Sequence, residues 1–240
     1  MVDPRISIIS ERLKLIKRII AVSSGKGGVG KSFVATTLAL SLSKQGYKVG
    51  LFDLDFTSPS THVLLGVKNL QPVEDKGLIP PKVHELLYMS LIYYSGNQAA
   101  PLRGVETSNA LIELLAVTLW GKLDFLIIDM PPGIGDAVLD LIKLVSRIEF
   151  IIVTTSSQLA FETVKKQLRL LKELNISIVG LVENMKPNQS DAVKKQTNQL
   201  NVKYVVGIPY DSAIEDSVGD PKKLLSSIVG KKIASITKVI

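Results

Sequence analysis

Apolar, β-rich runs alternate with helical repeats along nearly the whole chain. The run from Arg18 to Val22 predicts a short strand that ends in a glycine-rich stretch, GKGGVGKS at 25–32. From about Lys31 the apolar positions, Leu38 and Leu42 among them, recur at helical spacing and stop near Gly46. Lys48 to Phe52 predicts a second strand ending at Asp53, and Met89 to Tyr94 a third, reached through the proline-broken IPPK. Leu111 to Trp120 reads as helix, and DFLIID at 124–129 as a strand buried on both faces. The alternation continues with a helix at Asp136–Ser146, a strand at Glu149–Thr154 and a helix at Phe161–Leu174. A strand at Ile176–Val182, a helix from about Ser190, a strand at Lys203–Ile208 and a helical stretch after Pro221 complete it. Strands separated by helices of about ten residues or more require right-handed crossovers. The expected fold is therefore α/β, a single doubly wound, mostly parallel sheet with helices on both faces and ligands at the carboxyl ends of its strands. No linker or composition shift marks a second domain. Residues 1–240 are expected to form one domain, with 1–18 as a lead-in and 221–240 as a C-terminal amphipathic helix.

Composition narrows the class. At 240 residues and 46% hydrophobic content the chain can bury a sizeable core. No apolar run is long and uncharged enough to span a membrane, and the N-terminal MVDPRISIISERLKLIKR is charged where a secretory signal needs an apolar centre. A soluble, cytoplasmic protein is expected. There is no cysteine, which removes disulfides, thiolate metal sites and any cluster ligated by cysteines of this chain. His62 and His84 lie 22 residues apart with no ligand pattern around them and read as surface or satisfied residues. A net charge of +7 favours polyanions or, more simply, a solvated basic surface.

The glycine stretch has two readings. Gly25, Gly27 and Gly30 satisfy the G-x-G-x-x-G of a dinucleotide turn, and Asp53 lies 23 residues beyond Gly30, near where such a fold places its ribose-binding acid. The same letters with Lys31 and Ser32 satisfy G-x-x-x-x-G-K-S, a phosphate loop. Three features favour the triphosphate. A lysine directly after the last glycine reaches the β- and γ-phosphates, and the adjacent hydroxyl can ligate Mg²⁺. The second strand ends in Asp53-Leu54-Asp55, two carboxylates where a ribose needs one but a metal and an attacking water can use both. The strand at 124–128 delivers Asp129 to the same edge, followed by Pro131-Pro132-Gly133, an arrangement of Walker B type in which the acid supports the metal and the Gly133 N–H senses the γ-phosphate.

With its second lysine at Lys26, GKGGVGKS resembles the deviant Walker A of the MinD/ParA group of P-loop ATPases. Further segments resemble the Mrp-type branch of that group, the iron–sulfur cluster carrier ATPases. They are IIAVSSGKGGVGKS at 19–32, DLDFTSPST at 53–61, LRG at 102–104, WGKLDFLIIDMPPGIGD at 120–136, GLVENM at 180–185 and IPYDSAIED at 208–216. The double proline and the ENM separate this branch from MinD and ParA proper. The resemblance implies ATP and Mg²⁺ as cofactors and slow hydrolysis by a homodimer that sandwiches two nucleotides, with Lys26 reaching the partner's nucleotide. It implies a nucleotide site made by Gly25, Lys26, Gly27, Gly28, Val29, Gly30, Lys31, Ser32 and Phe33, with Gly133. Asn184 would bond the adenine edge, and Pro209, Tyr210 and Asp211 would close over the base. Asp55 would orient the attacking water as catalytic partner to Lys26 and Lys31, and Ser32, Asp53 and Asp129 would form the metal shell.

Two departures stand out. The branch follows VENM with a C-x-x-C pair that holds a cluster between subunits, whereas here KPNQSDAVKKQTNQL has no cysteine. Ser58 stands where the family often has glycine. The implied client is therefore a protein, such as an iron–sulfur assembly partner. The alternative is a MinD- or ParA-like positioning ATPase acting on membrane or DNA. The C-terminal stretch supports it, because Leu224, Leu225, Ile228, Val229, Ile233, Ile236 and Val239 share one helical face with lysines mostly opposite. The same stripe also suits a helix packed on the sheet.

Overall fold

The computed structural model describes residues 3–68, 70–95, 104–187 and 190–240. In chain order the elements are α1 (Arg5–Leu13), β1 (Ile16–Ser24), α2 (Lys31–Lys44), β2 (Val49–Asp53), α3 (Thr61–Leu64), β3 (Val73–Glu74), β4 (Leu78–Ile79) and β5 (Lys82–Val83). Next come β6 (Leu86–Ser90), α4 (Ile92–Ser95), α5 (Val105–Val117), β7 (Leu123–Asp129), α6 (Asp136–Leu144) and β8 (Ile148–Thr155). The chain closes with α7 (Gln158–Glu173), β9 (Ser177–Lys186), α8 (Ala192–Gln199), β10 (Tyr204–Pro209), α9 (Pro221–Ser226) and α10 (Ile228–Ala234). Short 3-10 turns at Ser212–Ser217 and Ser235–Lys238 flank the last two helices. Of the LRG segment, Leu102 and Arg103 lie outside the described residues.

Among the described residues the main sheet has eight strands in the order β10-β9-β8-β1-β7-β2-β6-β5. All neighbours pair parallel except the edge pair β5–β6. Strand alternation separates two cores. Ile19, Ala21, Leu126 and Ile128 face a layer that includes residues of α1, α5, α6, α7 and α8, while Ile20, Val22 and Ile127 face α2 and the C-terminal elements. From β1 the chain passes to β2 on one side, and after β7 it crosses to β8 on the other. The loop after β1 therefore sits where the strand order reverses, the crevice at which doubly wound sheets bind ligands.

Several expected boundaries shift, and three differences carry a physical lesson. The lead-in holds α1, whose Ile9 and Leu13, one turn apart, are buried against the layer containing α5. The third parallel strand is Leu86–Ser90 and not Met89–Tyr94. Leu86, Tyr88, Met89 and Ser90 are its buried residues, and the chain is already helical at Ile92. The C-terminal stretch is not one amphipathic helix. It breaks at Ser227, which is extended (φ −63°, ψ 161°) and whose Oγ accepts from Gly230 N at 2.8 Å to start α10. Leu224, Val229, Ile233 and Ile236 are buried, and α10 packs on α2 and β10. The cause lies in α2, where Val34, Ala35, Leu38, Ala39, Leu40 and Leu42 are all buried, so that helix needs cover on its outer side as well. The stripe offered for lipid is thus mostly spent on the core. Among the described residues no helix is long and apolar enough to cross a membrane.

Candidate functional site

The phosphate loop grows out of β1, which pairs with β7 as far as Val22 and with β8 as far as Ser24. Ser24 Oγ donates to the Lys26 carbonyl at 2.9 Å, folding the chain back on itself. Gly28 (φ 76°) and Gly30 (φ 78°) lie in the left-handed region that favours glycine, and Gly30 has a second constraint. A Cβ there would come within 2.2 Å of Asn184 Nδ2, which donates to the Val29 carbonyl at 2.9 Å. Asn184, at the end of β9, is thus clamped to the loop although 155 residues separate the bonded positions. The far side of the loop rests on α7, where Gly25 lies against Thr163 and Gln167 Nε2 donates to Ser23 Oγ at 2.7 Å.

Lys31 opens α2 and is only 6% exposed. Its Nζ lies 2.6 Å from Asp129 Oδ1, 3.6 Å from Asp55 Oδ2 and 3.2 Å from Ser32 Oγ. β2 and β7 are paired in register Asp53 to Asp129, so adjacent strand ends bring the acids together. Burial pushes the Asp129 carboxyl up to about 7, against the opposing pull of Lys31. Burial likewise raises Asp53, although its bonds to Thr61 and to the Asp55 backbone oppose the shift.

The three acids have separate environments. Asp55 Oδ1 receives the Thr57 hydroxyl at 2.7 Å and the backbone N–H groups of Thr57 and Ser58, leaving Oδ2 toward Lys31. Asp53 is occupied by its own loop. Its Oδ1 accepts from Asp55 N at 3.1 Å, and its Oδ2 from the N–H and hydroxyl of Thr61 at 3.2 and 2.6 Å, which moors α3. Among the described residues Asp129 Oδ2 is buried with no hydrogen-bond partner, an orphaned acceptor that suits a hard cation. Among the described residues no cluster of three or more His, Cys, Asp or Glu could hold a metal by itself. The Gly133 N–H donates to the Ser24 carbonyl at 2.8 Å, tying the Pro131-Pro132-Gly133 turn to the loop rather than pointing into the cleft.

These groups border a cleft of about 760 Å³. Lys26, Gly27, Gly28, Gly30, Lys31, Ser32, Phe33, Asp55, Asn184, Pro209, Tyr210 and Asp211 line it. Gly25, Val29, Asp53, Asp129 and Gly133 are not among the residues that line it. Sequence reasoning missed the ties made by Thr57, Ser58 and Thr61, although an Asp followed two residues on by Thr is a turn signal in the DLDFTSPST segment. It also missed Thr163 and Gln167, which no local pattern could reveal. His84 is satisfied, its Nε2 2.8 Å from the Leu65 carbonyl, whereas His62 Nδ1 is buried with no partner among the described residues.

A parallel sheet whose central strand feeds a glycine loop into a helix, with lysine and strand-end aspartates beneath it, defines a P-loop nucleotide-binding protein. The NUBPL iron-transfer P-loop NTPase (ParA) family model matches residues 15–238, and the chain belongs to that family. It is 37% identical over 245 residues to the iron-sulfur cluster carrier protein of Aquifex aeolicus, covering 94% of this chain and 67% of the relative. It is 36% identical over 251 residues to the protein of the same name from Methanocaldococcus jannaschii, covering 97% and 87%. Among solved structures, a nucleotide-binding protein from Archaeoglobus fulgidus in complex with ADP superposes with a TM-score of 0.80 at 29% identity, covering 95% of this chain and 96% of that one. The cell division ATPase MinD of Pyrococcus furiosus, at 23% identity and a TM-score of 0.70 over 93% of this chain and 98% of that one, shares the fold.

Proposed function

We propose that this chain is a Mg²⁺-dependent ATPase that closes as a homodimer over two nucleotides. In the cytoplasm it would serve a protein client of iron–sulfur assembly without carrying a cluster on cysteines of its own. The observation that carries the reading is the convergence of Asp129 and Asp55 on Lys31 Nζ, at 2.6 and 3.6 Å, beneath the glycine loop. Lys31 exchanges Asp129 for the β- and γ-phosphates, while the backbone of residues 27–32 cradles them. Ser32 and Asp129 would hold Mg²⁺, with Asp53 behind them, and the ion would supply positive charge beside the phosphates. Asp55, pinned by Thr57 and Ser58 on one oxygen, turns the other to the attacking water. The Gly133 N–H leaves Ser24 for the γ-phosphate. Asn184 meets the adenine edge, Pro209, Tyr210 and Asp211 close over the base, and exposed Lys26 reaches across to the partner's nucleotide.

The names of the relatives support the iron–sulfur connection, and the ADP complex of the Archaeoglobus protein supports the nucleotide. The lack of cysteine directs the proposal toward a client that supplies its own ligands. Phosphate release from ATP with Mg²⁺ tests the core of it. The wild type turns over slowly, Lys31→Ala shows no hydrolysis, and Asp55→Ala binds ATP without turnover. Hydrolysis by Asp55→Ala at the wild-type rate would overturn the assignment of the water-orienting acid.

A further inference from the structure

Glu183 is 1% exposed and takes no part in the chemistry above, yet it immediately precedes Asn184. Successive strand residues face opposite sides of a sheet. Leu181 packs in the layer containing α7 and α8, and Val182 in the layer containing α2, so Glu183 points to the first and Asn184 to the second. A buried carboxylate is retained only where its oxygens are satisfied. Here Oε1 accepts from Ser156 Oγ at 2.7 Å and Oε2 from Tyr204 Oη at 2.6 Å, while the Lys186 ammonium stays at 3.8 Å. The two donors come from either side, Ser156 from the end of β8 just before the Ser157 cap of α7, and Tyr204 from the start of β10. Tyr204 reaches the carboxylate across Gly207, where a Cβ would lie 2.6 Å from its hydroxyl. Directly beyond Asn184 the backbone of Met185 adopts a left-handed φ of 52°, a conformation that persists only where its surroundings impose it.

We propose that Glu183 is a positioning residue of the nucleotide site: its carboxylate braces β8, β9 and β10 together so that Asn184 keeps its place against the phosphate loop and the base. The inference rests on Asn184 contacting adenine, as proposed above. The same brace anchors the first turn of α7, the helix that touches the loop at Gly25 and Ser23. Glu183 therefore joins the two supports of the loop.

The test is a double-mutant cycle on ATP affinity, measured calorimetrically with Mg²⁺ on the full chain, with Glu183→Ala, Asn184→Ala and the double variant. Each single change weakens binding about tenfold, and the double variant is weaker than either by no more than about twofold, because both remove one contact. Glu183→Gln, whose amide can accept from one hydroxyl and donate to the other oxygen, stays within about threefold of wild type. If Glu183→Ala does not fold, Tyr204→Phe takes its place in the cycle, with the same coupling expected at smaller amplitude. Wild-type affinity in Glu183→Ala, or losses that multiply in the double variant, overturns the brace alone. Wild-type affinity in Asn184→Ala overturns the adenine contact and, with it, the brace.

Discussion

At the residue scale the site is a set of buried charges whose partners decide its behaviour. Lys31 and Asp129 are 6% and 0% exposed and 2.6 Å apart. Removing one member of such a pair leaves the other charge stranded, so Lys31→Ala should lower the stability of the nucleotide-free protein by about 3 kcal/mol. Adding Asp129→Asn should restore much of that loss, and a denaturant titration of the three variants checks it. His62 offers a pH test away from the phosphates. Burial holds its imidazole below the ordinary 6.5, and Nδ1 is enclosed without a partner among the described residues. The unfolded chain therefore takes up this proton at a higher pH than the folded one. Stability linked to His62 is fully present above about 6.5 and declines as pH falls through the depressed folded value. His62→Gln should flatten the acid limb of a melting-temperature profile. An unchanged limb would show that the acid loss belongs to another group.

At the element scale the decisive relation is between α2 and the C-terminal helices. α2 is buried on nearly every side, and α9 and α10 supply its outer cover. Ile233 is fully buried in that contact, while Ile228, on the same stretch, is 65% exposed. Ile233→Ala should destabilise the fold by about 2–5 kcal/mol through transfer and cavity terms. Ile228→Ala should change stability by less than about 0.5 kcal/mol. Chemical denaturation distinguishes them, and equal, small effects would mean that the stripe does not pack as described. Much at this scale was legible in advance. The alternation of strand and helix, the loop at the end of β1 and the delivery of Asp53, Asp55 and Asp129 to one edge follow from patterns within short windows. The break at Ser227 did not, because the apolar spacing around it fits a continuous helix equally well.

At the scale of the whole molecule Lys26, which lines the cleft, is exposed, and Leu159 at the start of α7 is 77% exposed. The proposed homodimer would close there. Light scattering after size exclusion should find Asp55→Ala with Mg²⁺ and ATP at twice the monomer mass, and the same variant carrying Lys26→Ala as a monomer. A dimer that persists without Lys26 would assign the closure to other contacts.

The sequence by itself determined the class of this protein. Glycines, a lysine and a serine at fixed spacing specify a phosphate loop through local backbone geometry, and apolar periodicity specifies strands buried on both faces. It also determined that no cluster can hang on this chain's cysteines, since there are none. Only the tertiary structure decided which acid is free and which is engaged. Among the described residues Asp53 is held by Thr61, Asp55 is half held by Thr57 and Ser58, and Asp129 is the one of the three that keeps a buried oxygen without a partner. Only the tertiary structure brought Asn184 to Val29 and Gln167 to Ser23, or set Glu183 between Ser156 and Tyr204. The reason is physical. Periodicity says which face of an element is apolar, but hydrogen bonds between positions 21 to 155 residues apart depend on how the layers meet, and no local pattern encodes that meeting.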